Sequence, residues 1–247
     1  MATDTQHEDG KVTEEDLAAA RRRIGIEMPH ARPGQEYATI DSIKHYAEGL
    51  GDVNPLFQDV ENARKTRWGK MIAHPTMMLI MGVSEKKELT HEERERGRGG
   101  GLAGVHGFYS GDDIEWFRPI CEGDRLIVKG GLARIDEHKS AFSGTTYHFT
   151  SDEVYRNQNG ELVGIARHMS IRAERSQIRG KGKYSDLKTQ SYTPEEMAKI
   201  DADYEREYIR GEEPRYWEDV QVGEETVPVV KGPYTATAYI CFAEGTG

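Results

Sequence analysis

Residues 51–57 contain two polar side chains that could do chemistry, and they lie at a sharp change in chain direction. Asp52 carries a carboxylate that can accept a proton, and Asn54 carries an amide that can both donate and accept hydrogen bonds. The same Gly-Asp-x-Asn-Pro order is also typical of a turn. Proline disfavours a helical conformation in the residue before it, and short polar side chains form hydrogen bonds with their own backbone. A helix-terminating turn is therefore the simpler interpretation, and a functional carboxylate is the alternative.

An amphipathic helix is predicted before this turn. Its apolar positions recur at steps of three and four residues: Ile40, Ile43, Tyr46 and Leu50. Gly49 and Gly51 end the pattern, so Asp52 is placed at a helix terminus. A helix terminus at a surface or an interface is a suitable place for a functional carboxylate.

Residues 46–56 resemble the signature of the MaoC-like, (R)-specific enoyl-CoA hydratase family, whose segment is aromatic, small residues, Gly-Asp-x-Asn-Pro-aliphatic-His. The resemblance implies an α+β hotdog fold, in which a long central helix is wrapped by a curved antiparallel sheet. It also implies an acyl-thioester substrate held between two such units, with an Asp and a His in the turn handling water and a proton across the enoyl double bond. Asp52 and Asn54 are the candidate catalytic residues, and Phe57 stands where the family has its histidine.

Two departures from the family pattern predict a unit that has kept the fold and lost the chemistry. Phe57 cannot transfer a proton, and general acid–base catalysis is worth about 10²–10⁴-fold. Active members of the family usually have His-Gly at the entrance to the central helix, where the glycine N–H helps to hold the enolate oxygen. In this chain Pro75 follows His74, and proline has no backbone N–H. The resemblance then implies a non-catalytic half or subunit, with the catalytic pair in a second hotdog unit.

The apolar run 75–83 is the predicted central helix, because proline suits a first helical turn and an all-apolar helix must be buried. Its methionines could adapt to an acyl chain, although filling gaps in a core is their commoner use. His74 could touch the thioester or cap the helix. The predicted acyl contacts are Tyr46, Phe57, His74, Pro75, Thr76, Met77 and Met78. Four basic residues could bind the phosphates of coenzyme A or simply form a solvated face: Arg64, Lys65, Arg67 and Lys70.

Composition limits the other classes of function. A net charge of −10 disfavours a nucleic-acid partner, which needs a basic face. Cys121 and Cys241 have no metal-ligand neighbours and are expected to be reduced thiols of a cytoplasmic protein. The beginning of the chain is polar and acidic, and the longest apolar run is too short to span a membrane. We expect neither a metal nor a cofactor beyond the CoA or acyl-carrier thioester itself.

Alternating residues predict antiparallel strands after residue 105, with a hairpin turn at 157–160. Residues 116–126 also resemble a recurrent hotdog feature, aromatic-basic-Pro-aliphatic followed by Gly-Asp-x-Leu. The predicted organisation is a solvated amino-terminal arm at 1–28, a hotdog domain at 29–175, a linker with a helix at 176–214, and the beginning of a second hotdog unit at 215–247.

An internal repeat supports that last segment. Residues 243–247 match 47–51 at four of five positions, Phe242 aligns with Tyr46, and Thr235 aligns with Thr39. A chance match is the alternative. The sequence therefore predicts part of an acyl-CoA hydratase or dehydratase, with a non-catalytic acyl-thioester-binding or dimerisation module as the rival. A hotdog thioesterase is disfavoured, because Pro75 and Thr76 supply no carboxylate at the helix entrance.

Overall fold

The computed structural model describes residues 11–29, 35–102, 105–140, 144–174, 191–208, 213, 215–226 and 228–246. The chain divides into two compact units, Met1–Lys183 with Phe242–Gly247, and Tyr184–Cys241. In these described ranges, no helix is long and apolar enough to cross a bilayer. The linker predicted at 176–188 lies outside the described residues.

Up to residue 174, the described part of the first unit contains five short α-helices followed by four long strands. The helices are α1 (Glu14–Arg21), α2 (Ile40–Gly49), α3 (Pro55–Gln58), α4 (Val60–Lys65) and α5 (His91–Arg96), with a 3-10 helix at Pro75–Ile80. The strands are β1 (His106–Trp116), β2 (Ile127–Ser140), β3 (Gly144–Arg156) and β4 (Leu162–Ala173). The second unit contains α6 (Pro194–Glu205) and a 3-10 helix at Trp217–Asp219, and the last helix, α7 (Ala236–Thr246), ends in residues of the first unit.

The four strands form one antiparallel sheet in the order β1-β4-β3-β2. The predicted hairpin joins β3 to β4: Asn157 Oδ1 accepts the backbone N–H of Asn159 and of Glu161, both at 3.1 Å. Gly160 takes a φ of 78°, which glycine adopts without steric cost. The strand prediction after residue 105 is confirmed.

The predicted long central helix is wrong in length, because residues 75–80 form a 3-10 helix of six residues. Pro75 starts it, but the chain leaves the helical conformation at Met81, whose φ of −102° and ψ of 166° are extended. Met81 and Val83 instead make isolated bridges with Gln35 and Ile127. Met77, Met78 and Met81 of the apolar run are buried as expected, whereas Pro75 is exposed. The run is divided between a short helix and extended chain.

This short helix packs directly on the sheet. Met78 is fully buried, and a Cβ added at Gly164 of β4 would lie 2.5 Å from its Sδ atom. Val128 of β2 and Tyr155 of β3 belong to the same hydrophobic core. A side chain at position 164 would separate the helix from the sheet, so the core depends on the bare backbone there.

Residues 11–28, the described part of the amino-terminal arm, are not the solvated segment that was predicted. Helix α1 is present, with a capping box between Thr13 and Asp16, but Leu17 and Ala20 are buried. The chain after it crosses β2, where Gly25 N donates to Leu132 O at 2.9 Å and Met28 N donates to Gly130 O at 2.8 Å. The amphipathic side of α1 was too short to be recognised as a buried face from its sequence.

A partly buried charge cluster lies across the neighbouring strands β1, β4 and β3. His168 Nδ1 lies 2.6 Å from Asp112 Oδ1, and His168 Nε2 lies 2.9 Å from Glu153 Oε2. The hydroxyl of Tyr109 donates to Asp112, and the hydroxyl of Tyr155 donates to Glu153. The hydrogen bond to Glu153, followed by the one to Asp112, raises the pKa of His168 against the effect of its burial.

The cluster predicts a pH-dependent contribution to stability. Because the pKa of His168 is raised in the folded state, its contribution should be complete below the unfolded value of 6.5 and should be lost as pH rises through the folded value. Replacing His168 with Gln should therefore lower the melting temperature more at acidic than at alkaline pH. His91→Gln, at an exposed position of α5, is the matched control. A pH-independent difference between wild type and His168→Gln would contradict the assignment.

Candidate functional site

The predicted catalytic turn uses its own polar groups to hold its shape. Asp52 Oδ1 accepts the backbone N–H of Asn54 at 2.9 Å, and Asn54 Oδ1 caps α3 by accepting the N–H of Leu56 at 3.0 Å. Helix α2 ends at Gly49, and Gly51 takes a φ of 64°, which lets the chain change direction just before Asp52. Most of the hydrogen-bonding capacity of this turn is structural, and the second carboxylate oxygen of Asp52 faces a neighbouring imidazole.

That imidazole belongs to His74. Its Nε2 lies 3.9 Å from Asp52 Oδ2, within ion-pair range and beyond hydrogen-bond distance. The two side chains are 25% and 29% exposed, respectively. Phe57, which is 7% exposed, packs edge-on against the His74 ring with 5.4 Å between the ring centroids. The sequence suggested each residue separately, but nothing in their spacing predicted that Asp52 and His74 would face each other.

The hydrogen bonds of His74 define its tautomer. The backbone N–H of Thr76 donates to Nδ1 at 3.3 Å, and the Thr76 hydroxyl lies 2.7 Å from the same nitrogen. Because a backbone N–H can only donate, we assign Nδ1 as an acceptor and place the proton of the neutral ring on Nε2. Burial lowers the pKa of His74, although the charge of Asp52 opposes the shift. The lone pair of His74 therefore faces the helix that it caps, as one of the two sequence interpretations predicted.

Tyr46 completes this chain of polar groups. Its hydroxyl lies 2.9 Å from the Thr76 hydroxyl, and it donates this bond because the Thr76 proton is directed to His74. Burial raises the pKa of Tyr46, while the bond to Thr76 opposes the shift. The fold thus brings together four of the predicted site residues in the order Tyr46, Thr76, His74 and Asp52.

An apolar pocket of about 300 Å³ lies beside these residues. The indole N–H of Trp116 donates to Pro75 O at 3.1 Å and joins the sheet to the start of the 3-10 helix. Both Trp116 and Phe117 are exposed large aromatic residues. The pocket is lined by Phe57, Ile72, Ala73, Pro75, Trp116, Phe117, Arg118, Pro119 and Ile120. Two of the predicted acyl contacts, Phe57 and Pro75, line it, and the sequence analysis did not identify Trp116 and Phe117 as pocket residues.

The two methionines occupy a different environment. Met77 and Met78 have no exposed surface and belong to the hydrophobic core. Neither lines the apolar pocket. In this structure they fill the space between the short helix and the sheet, which is the commoner use of methionine.

The four basic residues do not converge on one point. Arg64 pairs with Glu61 at 2.8 Å, and the guanidinium of Arg67 lies 4.4 Å from the centroid of the Trp68 ring. Lys70 lines a second pocket of about 300 Å³ that shares Arg118 with the apolar one. Lys70 and Arg118 are thus the cations nearest to the candidate acyl pocket, and a phosphate-binding role for the set remains a prediction.

A four-stranded antiparallel sheet packed on a short helix, with a Gly-Asp-x-Asn-Pro turn after a preceding helix, is the arrangement of a MaoC-like hotdog protein. Residues 24–166 match the family model for the FAS1-like, dehydratase domain region, and the chain belongs to that family. The chain therefore contains a MaoC-like hydratase/dehydratase domain.

Two curated relatives and one solved structure illustrate the similarity. A protein of Thermomonospora curvata called "Probable enoyl-CoA hydratase alpha subunit" is 27% identical over 156 residues, which cover 60% of this chain and 49% of that protein. A UPF0336 protein of Parafrankia sp. is 32% identical over 124 residues, 50% of this chain and 75% of that protein. A structure described as a MaoC-like dehydratase has a TM-score of 0.56 at 17% identity and covers 91% of this chain and 66% of its own. The chain thus spans about half the length of the Thermomonospora relative.

Proposed function

We propose that this chain is the acyl-lining unit of an acyl-thioester hydratase or dehydratase, whose catalytic Asp/His pair lies in a second hotdog unit or subunit. The observation that carries the proposal is Phe57. It occupies the position of the family's histidine, is buried, and packs edge-on against His74. The catalytic turn thus has its carboxylate and has lost the proton-transferring partner that follows it in the family.

His74 does not compensate for that loss. Its Nε2 carries the proton of the neutral ring, so it presents a donor to Asp52 and no lone pair. A neutral imidazole N–H is far too weak an acid to protonate carbon, and the basic nitrogen is occupied by Thr76. Pro75 also leaves the entrance of the 3-10 helix without the N–H donor that would stabilise an enolate oxygen.

The remaining features suit substrate binding. The pocket is apolar and walled by Phe57, Trp116 and Phe117, which fits an acyl chain. Lys70 and Arg118 lie in the adjoining pocket, where they could pair with phosphates of a CoA or carrier arm. Arg118 already pairs with Glu161 at 2.5 Å, so Lys70 is the more available of the two cations.

The repeat and the relatives support a second unit. Residues 243–245 repeat residues 47–49 at the end of α2 and also lie in a helix. The Thermomonospora relative is about twice as long as its matched region and is named an alpha subunit. A partner within one chain and a partner in another chain are both compatible with the proposal.

The decisive assay offers this chain crotonyl-CoA and longer enoyl-CoAs. We expect no hydration above the buffer rate, because the acid–base contribution of about 10²–10⁴-fold is missing. Calorimetry with saturated acyl-CoAs should nevertheless detect binding. Appreciable hydration by the isolated chain would overturn the proposal. Binding without hydration, even when a copurified partner is present, would favour the alternative of a non-catalytic binding or dimerisation module.

A further inference from the structure

A polar cavity of about 280 Å³ lies between the sheet, the end of the α1 segment and residues 100–102. Its polar lining includes Arg23, Ser151, Glu153, Ser170 and Arg172. Among the described residues, none lines both this cavity and the apolar pocket beside His74. Its volume is near the lower end of the range of about 300–1,000 Å³ for ligand sites, which suits a small molecule.

The charged groups of the cavity lie at different levels of the sheet. Arg172 of β4 pairs with Tyr147 of β3, and Ser170 pairs with Phe149. Glu153 lies four residues beyond Phe149 on the same face of β3, because side chains alternate along a strand. The sheet therefore supplies a cation at one end of the cavity and a carboxylate at the other.

Both arginines of the cavity lie against glycine backbone. A Cβ added at Gly107 would overlap Arg172 Nη1, and a Cβ added at Gly100 would lie 2.7 Å from Arg23 Cδ. Arg23 Nη1 donates to Gly100 O at 3.1 Å, and Arg172 Cζ lies 5.8 Å from the centroid of the Phe149 ring. Within the described part of the chain, neither guanidinium forms an ion pair with a carboxylate. The cavity thus has two positioned cations that could each meet an anion.

Glu153 places a negative charge at the other end. Its side chain is 9% exposed, and its Oε2 lies 2.9 Å from His168 Nε2 and accepts the hydroxyl of Tyr155. These hydrogen bonds favour the ionised carboxylate. An ionised Glu153 would repel a second anionic group and would accept a hydrogen bond from a hydroxyl.

We propose that this cavity binds a small hydroxycarboxylate, with its carboxylate at Arg172 and Arg23 and its hydroxyl toward Glu153. The planar guanidinium matches a carboxylate with two parallel hydrogen bonds. The hydroxyls of Ser151 and Ser170 add donors between the two ends, and Phe149 covers the carbon chain. This site is separate from the proposed acyl-lining function, because the acyl chain was assigned to the other pocket.

Four probes of equal carbon number test the chemistry by calorimetry with the full chain. 4-Hydroxybutyrate carries both groups, butyrate lacks the hydroxyl, butane-1,4-diol lacks the charge, and succinate presents a second carboxylate to Glu153. We expect 4-hydroxybutyrate to bind at least about tenfold more tightly than each of the other three, since hydrogen bonds to charged groups are the stronger ones. Equal affinity for all four, or equally tight binding of inorganic phosphate, would overturn the proposal.

Variants of the two arginines test the location of the site. Arg172→Gln and Arg23→Gln should each weaken binding of 4-hydroxybutyrate at least about tenfold. Arg172→Lys keeps the charge and loses the planar fork, so it should weaken binding less. Arg23 lies outside the sheet, so Arg23→Gln tests the site even where Arg172→Gln fails to fold.

The matched controls remove an arginine beside each site residue. Arg167→Gln changes the opposite face of β4, where Arg167 pairs with Glu115, and Arg22→Gln changes the residue before Arg23. Both controls should keep the affinity of the wild type. Full affinity in both Arg23→Gln and Arg172→Gln, or an equal loss in the controls, would contradict the proposal. No enoyl thioester enters these measurements, so they are independent of the hydratase assay.

Discussion

Replacing Phe57 with His and Pro75 with Gly in the same chain is expected to raise its hydration of crotonyl-CoA at least about 10²-fold. The first change supplies an imidazole two residues after Pro55 in the turn that already holds Asp52. The second supplies a backbone N–H at the first residue of the 3-10 helix, where no intrahelical acceptor competes for it. The measurement is the loss of enoyl-thioester absorbance with time.

Each single variant should gain less than the double variant, because the base and the oxyanion donor act in the same step. Adding Asp52→Asn to the double variant should abolish the gain, and this is the control for non-specific hydrolysis or addition. A double variant that keeps its sheet protected from hydrogen exchange and still shows no gain would mean that these two positions are not what disables the unit.

The parts of the fold that the sequence predicted are those with local causes. Asn157 and Gly160 define a hairpin within five residues, and alternating residues define the strands on either side. The Asp52 turn is also stabilised locally, because Asp52 accepts hydrogen bonds from Asn54 and from Gln58. Such elements can be predicted because all of the groups that stabilise them are neighbours in the sequence.

The features that were missed depend on distant partners. The long central helix was predicted from an apolar run, but Met81 and Val83 pair with Gln35 and Ile127 and so become extended. The approach of His74 to Asp52 depends on how the intervening 21 residues return to the end of α2, and no local pattern encodes that path. The sequence could thus name candidate site residues, while the distances between them could not be predicted.

The burial of α1 also could not be predicted from its local sequence. Three buried residues, Leu17, Ala19 and Ala20, are too few to give a recognisable helical stripe among charged neighbours. Their packing is made possible by Gly100, where a Cβ would lie 2.9 Å from Ala20 Cα. Gly100 is therefore part of the surface against which α1 packs.

Truncating Met78 to Ala is expected to lower the free energy of unfolding by about 2–5 kcal/mol. The side chain is fully buried between the 3-10 helix and Gly164, and its loss would leave a cavity that the rigid sheet cannot close. Leu79→Ala, at the next and only partly buried position, is the matched control and should cost less. Denaturant unfolding measures both variants. If Met78→Ala instead left stability unchanged and weakened acyl-CoA binding, Met78 would be an acyl contact, as the sequence first suggested, and the boundary between core and pocket would have to be moved to include it.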